Sequence, residues 1–270
     1  MKQYRLVLVG GLSVSVLLGA ASTAHATSFP LSLWLGTDNG GTPVLNTDRS
    51  GTILRSVAVE SVGFAIDVAN DTIYFGTLGS GDITPRNLTT LAPGTPITGP
   101  AANQEDMTFD GSMIWRANLS NGTVDRINPA NGATIGSFDP GFAPLGVAWD
   151  GTGLWVSEYT AGGLVQRFDP AGTPTGEVFN FLPGKLTGGL AFDTTDDTLW
   201  IGTFGHVYHY TTTGTQLLDD FNVTAQGGTF VDGLEFQGAI PEPGTLTLVG
   251  LGLVIAARLR MRSPRRSALS

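Results

Sequence analysis

The chain has 270 residues with 14 basic and 23 acidic side chains, three His and no Cys, for a net charge of −9. The missing Cys excludes a disulfide scaffold, thiolate-held metal and a thiol nucleophile, and the acidic balance excludes the electrostatic footprint of a nucleic-acid binder. Charged residues are only 14% while Gly reaches 38 residues, which fits a turn-rich chain with a sizeable core and not a disordered one.

At the N-terminus, Lys2 and Arg5 bracket the start of an uncharged run, Leu6 to Ala21, and small residues then lead to Ala24-His25-Ala26. A basic start, an apolar stretch and an A-x-A site predict a secretory signal peptide over residues 1–26, cut by signal peptidase after Ala26. A membrane-spanning anchor is the alternative, and the small residues from Gly19 to Ala26 favour cleavage.

Residues 27–239 repeat. Five segments share an apolar residue, an aromatic, two further residues and a polar or acidic one: Leu33–Thr37, Ile73–Thr77, Ile114–Asn118, Leu154–Glu158 and Leu199–Thr203. Their aromatics, at 34, 74, 115, 155 and 200, are spaced 40, 41, 40 and 45 apart. Four of them follow an apolar segment that ends in Asp67, Asp110, Asp150 or Asp193 and then a tight turn. Further turns and strands follow, such as Val124–Ile127 and Val165–Phe168, so each unit holds about four short strands. No stretch reads as helix between the signal peptide and Pro241.

Four strands per 40–45 residues is the period of a β-propeller blade. The first repeat lacks its upstream strand, and Gly233-Leu234-Glu235-Phe236 supplies one where no aromatic segment follows. The expectation is an all-β, five-bladed β-propeller closed by its N- and C-terminal strands, with an open stack or a sandwich as the alternative. The strand pattern resembles propellers of the NHL, SMP-30 and streptogramin-lyase kind over about residues 31–237. That likeness is architectural and transfers no activity.

The C-terminal residues 240–270 have three parts: Pro241-Glu242-Pro243, an uncharged apolar stretch from Thr245 to Ala257, and a tail with Arg258, Arg260, Arg262, Arg265 and Arg266. The prolines hold the motif extended, and the apolar stretch is a short helix of ~20 Å. The arginines stay cytoplasmic by the positive-inside rule. This order, spacing and position resemble a PEP-CTERM sorting signal, with Pro241, Glu242 and Pro243 as the sorting motif. The resemblance implies processing by the membrane-embedded enzyme exosortase and transient membrane anchoring through the C-terminal segment. It also implies delivery to the cell envelope, cell surface or extracellular matrix of a bacterium that makes exopolysaccharide and biofilm.

Seven of the 14 basic residues and one of the 23 acidic ones lie in the two ends, so the body carries 22 acids against 7 bases, a net −15. The recurring Asp residues and blade aromatics read as turn caps and packing. Departures from the repeat say more. At the polar position, Thr37, Thr77 and Thr203 give way to Asn118 and Glu158. Resemblance to lactonase-type propellers puts this strand end at the channel mouth, with Glu105, Asp106 and Asp232 near it. Glu105, Asn118 and Glu158 are the candidate metal ligands, of a composition that suits calcium; a solvated acidic rim is the other reading. His206 and His209 point to opposite faces of one strand, with no evident Ser or Asp partner for a triad. The sequence reading is an exported, non-catalytic binding or structural module, with exopolysaccharide or another glycan as partner. The alternative is a metal-dependent lactonase or lyase at the mouth.

Overall fold

Each Asp turn and the aromatic segment after it form the inner hairpin of one sheet. The computed structural model describes residues 31–37, 43–77, 79–99, 103–223 and 230–238. The signal peptide with Ala24 and Ala26, and the C-terminal segment with Pro241, Glu242 and Pro243, lie outside the described residues.

Nineteen strands, numbered in chain order, make five blades among the described residues. The first blade holds β1 (Ser32–Thr37), β2 (Val44–Thr47), β3 (Ile53–Val57) and, innermost, the last strand of the chain, β19 (Val231–Gln237). The second holds β4 (Gly63–Asp67), β5 (Thr72–Gly76) and β6 (Ile83–Asn87). The third runs β7 (Gln104–Phe109), β8 (Ile114–Asn118), β9 (Thr123–Ile127) and β10 (Thr134–Phe138). In the fourth are β11 (Pro144–Trp149), β12 (Leu154–Glu158), β13 (Leu164–Phe168) and β14 (Pro174–Asn180). The fifth comprises β15 (Leu190–Asp193), β16 (Thr198–Thr203), β17 (His206–Thr211) and β18 (Phe221–Asn222). The inner strands touch in the cyclic order β19, β4, β7, β11, β15 and back to β19, so the ring is closed.

Two elements depart from four strands per unit. The second blade has three, because the segment that would pair with β6 contains Pro93 and Pro96 and makes only the single bridges Ile83–Ile97 and Arg86–Pro93. Proline cannot donate to a ladder, and on an edge it also discourages pairing with another chain. The one helical turn among the described residues, Val68–Asn70, is 3₁₀ and is capped by Asp67.

Burial grades outward along each blade. The inner strands β4, β7 and β11 are buried at nearly every position, whereas β10 and β14 are mostly exposed. The aromatics Trp34, Tyr74, Trp115, Trp155 and Trp200 are all buried between blades. An arginine holds each blade's ring system. Arg55 lies 4.8 Å over Trp34, Arg86 5.3 Å over Phe75, Arg126 5.3 Å over Trp115 and Arg49 5.6 Å over Trp200. Arg167 stands directly opposite Trp155 in the ladder. A guanidinium on a ring face contributes about 0.5–2 kcal/mol.

Closure depends on β19. It pairs antiparallel with β1, Ser32 opposite Gln237 and Leu35 opposite Leu234. Gln237 is fully buried and its Oε1 accepts from Trp34 Nε1 and Arg55 Nη2, both at 3.0 Å. On the other side β19 meets β4 so closely that a Cβ on Gly233 would lie 2.2 Å from the Val62 carbonyl oxygen. Gly233→Ala is therefore expected to destabilise by about 1–3 kcal/mol through overpacking, and Leu234→Ala by about 2–5 kcal/mol through a cavity at a fully buried site. Thermal unfolding reads these as drops of about 2–4 °C per kcal/mol. An unchanged Tm in Gly233→Ala would show that the β19–β4 joint has slack.

Candidate functional site

The five inner strands start at one end of the channel, and three of them start irregularly: in β19, Thr37 is opposite Val231 and Gly36 opposite Gly233, so Asp232 is extra. Along β7, Gln104 is opposite Asn118 and Met107 opposite Arg116, so one residue of β7 is extra. In β11, Pro144 is opposite Glu158 and Val147 opposite Val156, the same irregularity one blade on. Such bulges re-aim side chains at barrel rims and sites. The β7 bulge sends three consecutive polar residues to three destinations.

Gln104 turns to the second blade, where its Nε2 donates to the carbonyls of Thr77 (2.7 Å) and Asp82 (2.9 Å). Glu105 turns to the mouth and accepts from Asn103 Nδ2 at 2.8 Å. Asp106 turns to the channel axis. Its Oδ1 accepts the backbone N–H of Met107 (2.9 Å) and Leu234 (3.3 Å), and its Oδ2 those of Leu190 (2.7 Å) and Val147 (3.2 Å). One fully buried carboxylate thus takes N–H groups from four of the five inner strands.

Further along the channel, Glu235 Oε1 accepts from Thr108 Oγ1 at 3.2 Å, and that hydroxyl oxygen accepts the Trp149 N–H at 3.2 Å. Burial pushes both the Asp106 and the Glu235 carboxyl well above the usual carboxylate range. In Asp106 the backbone N–H groups of Leu190, Val147 and Met107 oppose that push, and in Glu235 only the Thr108 hydroxyl does. Both Asp106 oxygens are filled by donors, while the nearby Glu235 charge adds to the upward push on the Asp106 carboxyl.

The mouth itself is a cavity of about 250 Å³. Glu105 and Asp232, 5% and 3% exposed, supply carboxylates, and Asn103 supplies an amide. Leu119, Leu145, Tyr159 and Phe230 supply apolar wall. Tyr159 is 43% exposed, and Phe230 packs against Phe204 with ring centres 4.7 Å apart.

The candidate metal set does not gather there. Glu105 lines the mouth, but Asn118 donates through Nδ2 to Asp125 (2.9 Å) and accepts through Oδ1 from Ser120 (3.2 Å) and the Asn121 N–H (3.3 Å). Glu158 accepts the Leu164 N–H at 3.3 Å, capping its own hairpin. No group of three or more Asp, Glu, His or Cys among the described residues is placed to hold a metal ion. Asp106 belongs to the axis and not to the rim.

The histidines do have partners. His206 Nε2 meets Asp220 at 2.6 Å, and His209 lies between Asp219 (Nδ1, 2.5 Å) and the Thr198 hydroxyl (Nε2, 2.6 Å). Carboxylate, imidazole and hydroxyl in that order resemble a nucleophilic triad. Here the ring lies flat on Trp200 at 4.1 Å, Thr198 is 6% exposed, and its hydroxyl also reaches Asp196 at 2.5 Å. That hydroxyl is buried and engaged by protein groups on both sides, and the arrangement ties β16, β17 and the turn before β18 together.

The recurring Asp residues are turn caps. Asp110 Oδ1 accepts the N–H groups of Ser112 and Met113, both at 2.8 Å, and Asp150 Oδ1 those of Thr152 (2.9 Å) and Gly153 (2.8 Å). Asp67 accepts from the Asn70 N–H at 3.1 Å and Asp193 from the Thr195 N–H at 2.9 Å. Burial works to raise the Asp110 and Asp150 carboxyls, but these bonds, with those from Trp115 to Asp110 and Arg167 to Asp150, hold both below the usual value.

Sequence reading missed Asn103, Leu145, Tyr159 and Phe230. One signal was present: the residue after the polar position is Leu78, Leu119, Tyr159 or Phe204 in four repeats, a bulky apolar residue where a hairpin turn is expected to be polar.

Two opposed pH effects follow. The stabilisation from Asp110 and Asp150 is present above the unfolded value of about 3.9 and is lost as pH falls through their lower folded values. Glu235 and Asp106 work in reverse: their protonated forms are favoured by folding, so stability present below about 4.3 and about 3.9 is lost as pH rises through their raised folded values, and substituting Glu235 isolates its share. Thermal unfolding against pH should peak on the acid side of neutral. Glu235→Gln should flatten the fall above the peak, while an identical pH profile in the variant would remove Glu235 as its cause.

Residues 239–265 match the PEP-CTERM protein-sorting motif. No curated protein matches the chain at a significant level. Among solved structures, a chain from a crystal structure of a nidogen/laminin complex is similar with a TM-score of 0.53 at 12% identity, over 77% of this chain and 98% of that one. That likeness shows the propeller fold alone. The sorting motif marks its carrier for export and exosortase processing, so this is an exported cell-envelope or surface protein with a propeller body.

Proposed function

We propose that the protein is a non-catalytic binding module of the cell surface or extracellular matrix, and that it holds a glycan of the exopolysaccharide at the channel mouth. The observation that carries this reading is the mouth cavity, where two buried carboxylates and an amide converge beneath an apolar and aromatic rim. Sites for small ligands combine an apolar lining with a few convergent polar groups, and an aromatic face complements the C–H face of a sugar ring. The lactonase or lyase alternative relies on Glu105, Asn118 and Glu158 acting on one ion, and the local bonds of Asn118 and Glu158 do not favour it.

Tyr159→Ala removes an exposed wall of the cavity and touches little of the core. It should weaken retention on the organism's own matrix polysaccharide by about tenfold and leave the Tm close to the native value. Equal retention by the native and variant chains, measured by co-sedimentation, would overturn the mouth as the binding site.

Sorting gives a separate test. Replacing Pro241, Glu242 and Pro243 together by Ala should leave unprocessed precursor in the membrane fraction, visible as a larger band on an immunoblot. Normal processing of that variant would remove the triplet from the recognition step.

A further inference from the structure

Three Asn-Gly pairs occur in the chain, at 39–40, 121–122 and 131–132. The first lies outside the described residues. The other two stand at opposite ends of β9, each in a turn whose glycine is left-handed, Gly122 at φ 66° and Gly132 at φ 74°.

Asparagine before glycine is open to one spontaneous reaction. The backbone nitrogen of the glycine attacks the side-chain amide carbon, and no Cβ on the glycine stands in the way. The N–Cγ bond forms, the Cγ–Nδ2 bond breaks, and ammonia leaves with the glycine's amide proton. A cyclic succinimide remains. Water then opens it at either carbonyl. One opening gives aspartate, and the other gives isoaspartate, whose main chain runs through the side-chain carbon.

The fold separates the two pairs. Reaction needs a glycine nitrogen released from its hydrogen bond, an asparagine amide that turns toward it, and room for the ring. Around Asn131 all three are withheld. Gly132 N–H donates to the Asn128 carbonyl at 2.9 Å, and Asn131 Oδ1 accepts the Ala133 N–H at 3.0 Å. Gly132 is buried, and a Cβ there would lie 2.5 Å from the Thr98 carbonyl oxygen. The other turn is looser. Gly122 N–H reaches the Leu119 carbonyl only at 3.4 Å, beyond the usual range. Asn121 joins the turn through its backbone N–H, 3.3 Å from Asn118 Oδ1, and is exposed at the tip. A Cβ on Gly122 would meet nothing within 4 Å.

We infer that Asn121 is a site of spontaneous covalent modification in the folded protein, and that the fold protects Asn131 from the same reaction. The consequence reaches the mouth. The β8–β9 turn carries Leu119 in the cavity wall. Leu119 N–H donates to the Asn103 carbonyl, and Ser120 Oγ accepts the Asn103 N–H, both at 3.0 Å. Isoaspartate at 121 lengthens the main chain between Asn118 and Thr123, which face each other in the ladder, and puts a new carboxylate on that turn. This chemistry is independent of what the mouth binds.

The test is peptide mapping by mass spectrometry of the full-length chain, kept folded in detergent and mildly alkaline buffer for weeks. Short peptides spanning residues 118–124 and 128–134 are aged beside it. The two peptides should convert at similar rates. In the folded chain Asn121 should convert, with isoaspartate among its products, at least about tenfold faster than Asn131, because freeing Gly132 breaks a hydrogen bond and unpacks a buried turn. Gly122→Ala should slow conversion of Asn121 by about tenfold or more, since its methyl group hinders the attacking nitrogen.

Equal conversion of Asn121 and Asn131 in the folded chain would overturn the selection by the fold. So would a pair of free peptides that already differ as the folded sites do. An Asn121 that stays intact while its free peptide converts completely would overturn the site. Aspartate without isoaspartate would exclude the cyclic route and overturn the inference. Should the positive φ at 122 make Gly122→Ala unfold, the comparison of Asn121 with Asn131 in the native chain still decides.

Discussion

The ring is organised around one carboxylate. Asp106 leaves its strand at a bulge and reaches the channel axis, where its two oxygens receive backbone N–H groups from β7, β11, β15 and β19. Inner strands of a propeller face a channel on one side and cannot all pair with one another, so some of their N–H groups would be left unsatisfied within a dry centre. A single carboxyl group at the axis takes up four of them at once. Its charge is costly to bury, but four donors in a water-excluded setting are the condition under which a buried carboxylate is tolerated. The bonds reach across the channel, not only between neighbouring blades. They therefore fix the relative height of the inner strands, and with it the positions of Glu105 and Asp232 at the rim.

The second constraint is closure by the chain's own last strand. β19 completes the first blade and also faces β4 and β15, so the β1 ladder, the Gly233 contact and the Leu234 N–H bond to Asp106 form together. Gln237 ends that strand buried, locked by Trp34 and Arg55, and the sorting motif begins at residue 239. A cut at the Pro-Glu-Pro triplet would leave the closing strand whole. A cut a few residues earlier would remove Gln237 and release the Trp34 and Arg55 contacts that seal the first blade.

The repeat makes the fold readable in the sequence. Trp34, Tyr74, Trp115, Trp155 and Trp200 mark one strand per blade because the same position must fill the same inter-blade gap, and the displaced segment Gly233–Phe236 marks closure because a ring needs a partner for β1. The missing fourth strand of blade two was also written, as Pro93 and Pro96, but its consequence depends on which edge those residues meet. The site was much less legible. Glu105 and Asp106 are adjacent carboxylates with opposite roles, and a bulge, which exists only relative to a partner strand, decides which is which. Asn118 and Glu158 looked like rim ligands because they break the repeat. Each instead serves a local turn, a role that a short polar side chain at a hairpin takes up readily. Asp219 and Asp220 become partners of His209 and His206 only through the path of the chain between β17 and β18.

The use of arginine connects these levels. A body with 22 acids has only six arginines: Arg55, Arg86, Arg126 and Arg49 lie over the rings of Trp34, Phe75, Trp115 and Trp200, Arg167 stands opposite Trp155, and Arg116 is buried against Asp125. In the third and fourth blades the repeat sets this directly: the strand after the aromatic places an arginine opposite it that bonds the turn carboxylate, Arg126 with Trp115 and Asp110 and Arg167 with Trp155 and Asp150, whereas Arg55, Arg86 and Arg49 reach their rings from other positions. Positive charge is thereby consumed in holding the blades, and the acidic excess is left to the surface and the channel. Glu105 and Asp232 sit where that excess meets a cavity with apolar walls. The same pattern that stabilises each blade therefore fixes the sign of the potential at the mouth.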